Sequence, residues 1–182
     1  MEKNPYQINN IETERLILIP FTTQICNEIL ANKFNTIENL ELKRGKNWPD
    51  HELMETLPKI LFNLSKVNSP TGFESWMIIK KDTNEIIGDV GFKGYNTIFH
   101  KADIGYGIIV AERKKGYASE AVKGLINWAF TSENLELITA TTLIDNTDSI
   151  KVLEILHFNQ IEQEDNFFYW ELTKEDFHIN YK

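Results

Sequence analysis

Ile104-Gly-Tyr-Gly-Ile-Ile-Val110 runs straight into Ala111-Glu-Arg-Lys-Lys-Gly-Tyr-Ala-Ser-Glu-Ala-Val122, and this stretch decides the fold. An apolar, β-branched run stops at a short charged loop, Arg113 to Ala118, and a helical pattern begins after Gly116. The first N–H groups of a helix lack helical partners. Together with the helix dipole and the cations Arg113, Lys114 and Lys115, they suit a phosphate group. Small residues at positions 116 and 118 let an anion reach the backbone.

Elements on either side extend the pattern. Thr13-Glu-Arg-Leu-Ile-Leu-Ile-Pro20 reads as a first strand ended by proline. Thr22 or Thr23 caps a helix to about Lys33, and His51 to Lys66 has a helical rhythm in Leu53, Leu57, Ile60, Leu61 and Leu64. Strands are expected over Phe73 to Lys80 and Ile86 to Lys93, joined by the turn Asp82-Thr-Asn-Glu85. After the strand ending at Val110 comes a helix from Gly116 to about Thr131. A strand from Leu135 to Leu143 follows, then a helix from Thr147 to His157 capped at Asn146 or Thr147. Strands Phe158 to Gln163 and Phe167 to Thr173 close the chain. Strand runs with helical crossovers imply a mixed sheet with helices on both faces, and ligands bind at the carboxyl ends of strands in such sheets.

The 182 residues suffice for one domain, and 42% hydrophobic with 25% charged residues is ordinary for a globular protein. No apolar run approaches the roughly 18 residues that span a bilayer. Met1 to Tyr6 lacks the apolar core of a secretory signal. A lone cysteine, Cys26, excludes an intrachain disulfide and fits a reducing, cytoplasmic compartment. The net charge of −8 disfavours a nucleic-acid binder and is compatible with a cationic substrate. No metal-ligand spacing occurs among His51, His100, His157 and His178, and Gly105-Tyr-Gly107 lacks the third glycine of a dinucleotide fingerprint.

These residues resemble the GNAT superfamily of acetyl-CoA-dependent N-acetyltransferases. Arg113-Lys-Lys-Gly116-Tyr-Ala118 matches its Gln/Arg-x-x-Gly-x-Gly/Ala element. Glu120-Ala121-Val122, Asn146-Thr-Asp-Ser149 and the opening Thr13-Glu-Arg-Leu-Ile-Leu18 resemble the branch containing the Rim-type ribosomal-protein N-terminal acetyltransferases. The likeness runs from about Ile11 to Leu172. It departs at Val110, where many relatives carry proline, and at Lys114 and His157, where glycine is common. His157 reads as a helix cap, since histidine tolerates a left-handed conformation better than most residues.

The resemblance implies an α+β fold in one domain, residues 1–182. Its mixed, mostly antiparallel sheet has about seven strands, splayed at the coenzyme site, with helices on both faces. It also implies acetyl-CoA as cosubstrate, no metal, and direct transfer to a primary amine in a ternary complex. A protein N-terminal α-amine is the first acceptor to consider. The alternatives are a small amine (polyamine, amino acid or aminoglycoside) or an acyl-CoA-binding protein without catalysis.

Amide formation from a thioester needs a base for the amine, a donor for the oxyanion and stabilisation of the departing thiolate. The resemblance assigns the backbone of Ile108, Ile109 and Val110 to the pantetheine arm. It assigns the amides of Lys114, Lys115, Gly116, Tyr117, Ala118 and Ser119 to the pyrophosphate, with charge from Arg113 and Lys115. Asn146 is either a pantetheine partner or a helix cap. Ser149 is either a hydrogen-bond donor to the thiolate or a serine bonded to its own helix.

No motif fixes the base. Asp103, at the head of the strand leading to Val110, is the carboxylate put forward, with Glu74, Asp89 and His100 as alternatives. Trp48, Trp76, Trp128, Tyr106 and Phe92 line a groove or fill the core. The aromatic strand Phe167-Phe-Tyr-Trp170 is either core or a dimer surface, so monomer and homodimer both remain open.

Overall fold

The computed structural model describes residues 8–181. The reading of Met1 to Tyr6 lies outside them. In chain order the strands and helices are β1 (Ile11–Glu12), β2 (Leu16–Pro20), α1 (Thr23–Leu30), α2 (Asn35–Asn39), β3 (Lys43–Arg44), α3 (His51–Leu64), β4 (Ser75–Lys80), β5 (Glu85–Asn96), β6 (Lys101–Ile108), α4 (Tyr117–Ala129), β7 (Leu137–Leu143), α5 (Thr147–Ile155), β8 (Asn159–Glu164), β9 (Phe167–Thr173) and α6 (Lys174–Asn180). One sheet of nine strands runs β1-β2-β4-β5-β6-β7-β9-β8, with β3 alongside β5. Among the described residues, pairing is parallel only between β6 and β7 and between β3 and β5. The strands beyond the expected seven are the two-residue β1 and β3, too short to show periodicity.

Caps explain where the helices start. Thr22 accepts from the N–H of Ile25, Asp50 from Leu53, Asn146 from Ser149 and Thr173 from Asp176. The residues Leu53, Leu57, Ile60 and Leu64 recur at helical spacing, and α3 buries all four. Each such side chain contributes about 1.5–3 kcal/mol. His157, with φ 61°, follows α5 in the left-handed conformation that its reading as a cap required.

Two corrections concern the strand at the centre. β6 ends at Ile108 rather than Val110, because Val110–Glu112 close a single 3-10 turn. Gly116 (φ 80°) and Lys114 (φ 61°) both adopt the left-handed conformation, and Gly116 caps α4 instead of belonging to it. Lysine thus takes the strained position that glycine often fills in the motif.

Register sorts the side chains between the two faces of the sheet. Trp76, Val90 and Tyr106 share one face, and Met77, Asp89 and Gly107 the other. α4 covers the first face, where Trp128 packs on Trp76 and Phe73. α3 packs against β5 on the second. Trp48 and Trp76 are buried in the core and Trp128 is half-buried against it, so the tryptophans fill the interior.

Candidate active site

β6 and β7 pair only over Lys101–Asp103 and Leu137–Thr139. Further on, β6 stays with β5 while β7 follows β9, and a wedge opens between them. The N–H of Ile109 donates to Ile87 on the β5 side. Antiparallel alternation then turns the peptide groups of Tyr106 and Ile108 into the wedge. Unpaired strand groups at such an opening accept an extended, amide-bearing chain as an added strand. The N–H of Ile109 is taken by Ile87, and Val110 lies in the 3-10 turn.

The loop at the wide end of the wedge carries six consecutive N–H groups, Lys114 to Ser119, with no acceptor among the described residues. Alternating left-handed residues and the start of α4 gather them into an anion-binding nest. Arg15 braces it. Its guanidinium bonds the carbonyl of Lys115 at 3.0 Å, pairs with Glu120 at 2.6 Å and covers the Tyr117 ring at 4.5 Å. Glu120 also accepts from the Thr13 hydroxyl and the Arg15 N–H. Burial works to raise the Glu120 pKa, but these hydrogen bonds prevail and hold the carboxyl below its ordinary range. The stretches Thr13-Glu-Arg and Glu120-Ala-Val, far apart in the chain, are one physical unit.

The cations of the loop have partners of their own. Arg113 donates through Nε to the Ile108 carbonyl at 2.7 Å and through Nη2 to Glu52 at 2.8 Å. It therefore ties the end of β6 to the start of α3. Lys115 turns back to the Ala111 carbonyl and Glu112, each at 3.0 Å. The exposed ammonium of Lys114 makes no such contact among the described residues.

Across the wedge, Oδ1 of Asn146 caps α5 by accepting from Ser149 N–H at 3.1 Å, which leaves its amide nitrogen available. The Ser149 hydroxyl makes no hydrogen bond to its helix among the described residues, unlike Ser119, which donates to Gly116. Tyr106 reaches over from β6 and donates to the Ser149 carbonyl at 3.1 Å. Burial pushes the Tyr106 phenol up, so it stays protonated.

The four proposed bases separate clearly. Glu74 is buried and holds a turn through the N–H groups of Thr71 and Gly72 and the Thr71 hydroxyl. His100 sits at φ 52° in the turn between β5 and β6. Asp103 pairs with Lys93 at 2.8 Å, its Oδ1 buried without a partner, at the closed end of the wedge. It is four residues, or about 13 Å, along the strand from Gly107. It lines a cleft of about 650 Å³ that also touches Thr71, Lys93 and Thr139.

Asp89 lies directly opposite Gly107 and makes no hydrogen bond among the described residues. Burial first, then the charges of Asp50 and Glu52, pushes its pKa up to about 7. The sequence alone puts Asp103 forward first. The signal for Asp89 is a carboxylate inside an apolar strand, Ile86-Ile-Gly-Asp-Val-Gly91, with no neighbouring cation.

The floor beside Asp89 is glycine. A Cβ at Gly105 would meet nothing within 4 Å, and one at Gly107 would stand 3.4 Å from Asp89 Oδ1. Open space thus lies over β6 on the face that carries the carboxylate. Replacing Gly105 by Leu should fill it. KM for the acceptor amine should rise at least tenfold, while melting temperature and coenzyme affinity stay near wild type. An unchanged KM would place the acceptor elsewhere.

A family model described as an acetyltransferase (GNAT) domain matches residues 15–159. The chain belongs to the GNAT family of N-acetyltransferases. It is 36% identical over 148 residues to the uncharacterized N-acetyltransferase YjdG of Bacillus subtilis, covering 81% of this chain and 88% of that protein. Among solved structures, the fold is similar to a ribosomal-protein-S5-alanine acetyltransferase from Vibrio fischeri. The TM-score there is 0.64 at 21% identity, covering 93% of this chain and 99% of the other. It is also similar to RimL, a ribosomal L7/L12 α-N-protein acetyltransferase solved with coenzyme A. The TM-score is 0.65 at 17% identity, covering 92% and 99%.

GNAT enzymes use acetyl-CoA, so an acetyl acceptor is implied. The wedge and the amide nest fit that cosubstrate. Among the described residues no group of three or more His, Cys, Asp and Glu side chains is placed to hold a metal ion, and no helix is long and apolar enough to cross a membrane.

Proposed function

We propose that this GNAT enzyme acetylates a primary amine, a polypeptide N-terminal α-amine, with Asp89 as base. The observation that carries the reading is Asp89 itself, an unpaired carboxylate beside open space and opposite the strand that borders the wedge. A polyamine, amino acid or aminoglycoside is the alternative acceptor, and a binding protein without catalysis would have no use for such a base.

Acetyl-CoA supplies the activated acetyl thioester. The nest of Lys114 to Ser119 holds its pyrophosphate, with the Lys114 ammonium nearby. The wedge-facing peptide groups of Tyr106 and Ile108, and the Asn146 amide, hold the pantetheine arm. Arg113 acts by fixing Ile108 rather than by touching phosphate.

Asp89 accepts the ammonium proton of the acceptor, and the freed nitrogen attacks the acetyl carbonyl carbon. A carbon–nitrogen bond forms and the carbon–sulfur bond breaks. A backbone N–H of β6 faces the developing oxyanion, and the sulfur leaves as a thiolate. The attacking nitrogen sheds its second proton as the carbon–sulfur bond breaks. The Ser149 hydroxyl, hydrogen-bonded to the thiolate, relays that proton to sulfur through water, leaving a neutral amide and CoA thiol.

A Ser149→Ala variant tests the last role. Its thermal shift with CoA should match wild type, about 2.7 kcal/mol at 100 times the dissociation constant. Turnover, followed by thiol release with peptide and small-amine panels, should fall about tenfold or more. Wild-type turnover in that variant removes Ser149 from the mechanism. Coenzyme binding with no transfer to any amine removes catalysis.

A further inference from the structure

On the face that carries Asp89, the sheet continues past the wedge through β7, β9 and β8 without a helix over it among the described residues. Register places Thr139, Thr141 and Leu143 of β7 on this face, with Phe167, Tyr169 and Glu171 of β9 opposite them. β8 adds Glu162 opposite Tyr169 and Glu164 opposite Phe167. All of β8 is exposed, and so are Thr141, Leu143 and Phe167. The opposite face is different in kind. There Gln160 and Gln163 are neutral, Trp170 and Leu172 are buried, and Trp170 donates to Thr142.

The carboxylates of this hairpin are therefore sorted onto one face. No lysine or arginine of β7, β8 or β9 joins them. The apolar groups Leu143, Phe167 and Tyr169 lie between the carboxylates and the wedge. Thr139, on the same face, also lines the cleft at the Asp103 end of the wedge, beside Lys93 and Lys101. From β8 to β6 is three strand spacings, about 14 Å, which four or five extended residues cover.

We propose that this open sheet face docks the segment that follows the acceptor amine, and that the segment is a basic, extended polypeptide. This rests on the acetyl-transfer reading above. Charge complementarity selects the partner: on β7, β8 and β9 three carboxylates and no cation favour lysine and arginine, and like charge repels acidic chains. Aromatic and aliphatic side chains between the carboxylates give the stems of those residues a surface to lie on. Carboxylates spread over an open face, rather than gathered in a closed pocket, fit a polypeptide better than a free polyamine.

The test uses the full chain with acetyl-CoA and two peptides sharing one N-terminal residue. One carries three Lys or Arg between positions 3 and 7, and the other carries Glu there. kcat/KM should favour the basic peptide at least tenfold, and the preference should shrink as salt rises. Glu162→Lys with Glu164→Lys should abolish it through KM, with kcat and the CoA thermal shift unchanged. The milder Glu162→Gln with Glu164→Gln should reduce it by a smaller factor.

Equal kcat/KM for the two peptides overturns the proposal while leaving acetyl transfer intact. So does transfer to spermidine but to neither peptide. Transfer to no amine at all brings down the acetyl-transfer reading and this inference with it.

Discussion

Asp89→Asn should lower kcat by about 10²–10⁴, the usual contribution of a positioned base. Coenzyme affinity should not change, because Asp89 touches neither the nest nor Asn146. The pH profile separates a base from a residue that merely shapes the cleft. With a folded pKa of about 7, wild-type kcat should rise through neutrality and level off above it. The acceptor's own α-amine, with pKa roughly 8, complicates kcat/KM, so kcat at saturating acceptor is the cleaner quantity. The Asn variant should lose the limb near 7. Glu52→Gln should move that limb to lower pH, because it removes a carboxylate that disfavours ionised Asp89. A limb that persists in Asp89→Asn would rule Asp89 out.

Stability should move in the opposite direction. A carboxyl whose pKa is raised on folding binds more protons in the native than in the unfolded state, so stability falls as pH rises between the two values. For Asp89 that window runs from about 4 to about 7, and the deficit is complete above it. The Asn variant carries no such charge. Its melting temperature at pH 8 should exceed wild type, and the difference should vanish near pH 4. Gain of stability with loss of turnover is the signature of a group kept for chemistry.

The sheet and the nest were legible because their signals are local. An apolar run, a charged loop and a helical pattern lie within nineteen residues, Ile104 to Val122, and the order of elements followed from caps and periodicity. The capping pattern Thr173-x-x-Asp176 announces α6 as well, an element not among those expected from the sequence. α2 begins after Phe34, which makes no side-chain cap, so nothing local marks it.

The site was less legible because its decisive contacts are distant in sequence. Asp50 and Glu52 reach Asp89 across nearly forty residues, and Arg15 meets Glu120 across 105. The Lys93 partner of Asp103 and the closing of the wedge beside it cannot be read along one strand. Arg113 shows the same limit. Its motif position suggested positive charge near the pyrophosphate, and the contacts of its guanidinium with Ile108 and Glu52 could not be read from the motif.

Gly116→Asp should remove coenzyme binding, with Gly116→Asn as its control. Position 116 has φ 80°, a conformation that Asn and Asp enter more readily than other side chains. The nearest atom to a new Cβ is the far end of Arg15, at 3.3 Å, which can yield. Both variants should therefore fold, each at a cost of about 1 kcal/mol. They differ in charge. The Asp carboxylate would sit among the free amides of Lys114 to Ser119, accept their hydrogen bonds and repel a pyrophosphate. Loss of about a hundredfold in CoA affinity, roughly 2.7 kcal/mol, is expected for Asp, and less than tenfold for Asn. Thermal shift against CoA concentration measures both. Lys115 is a poorer place for the same experiment, because reversing its charge would also break its contact with Glu112. If the Asp variant binds CoA as wild type does, the pyrophosphate lies outside the nest, and the likeness of Arg113 to Ala118 to the family motif is no guide to where the coenzyme sits.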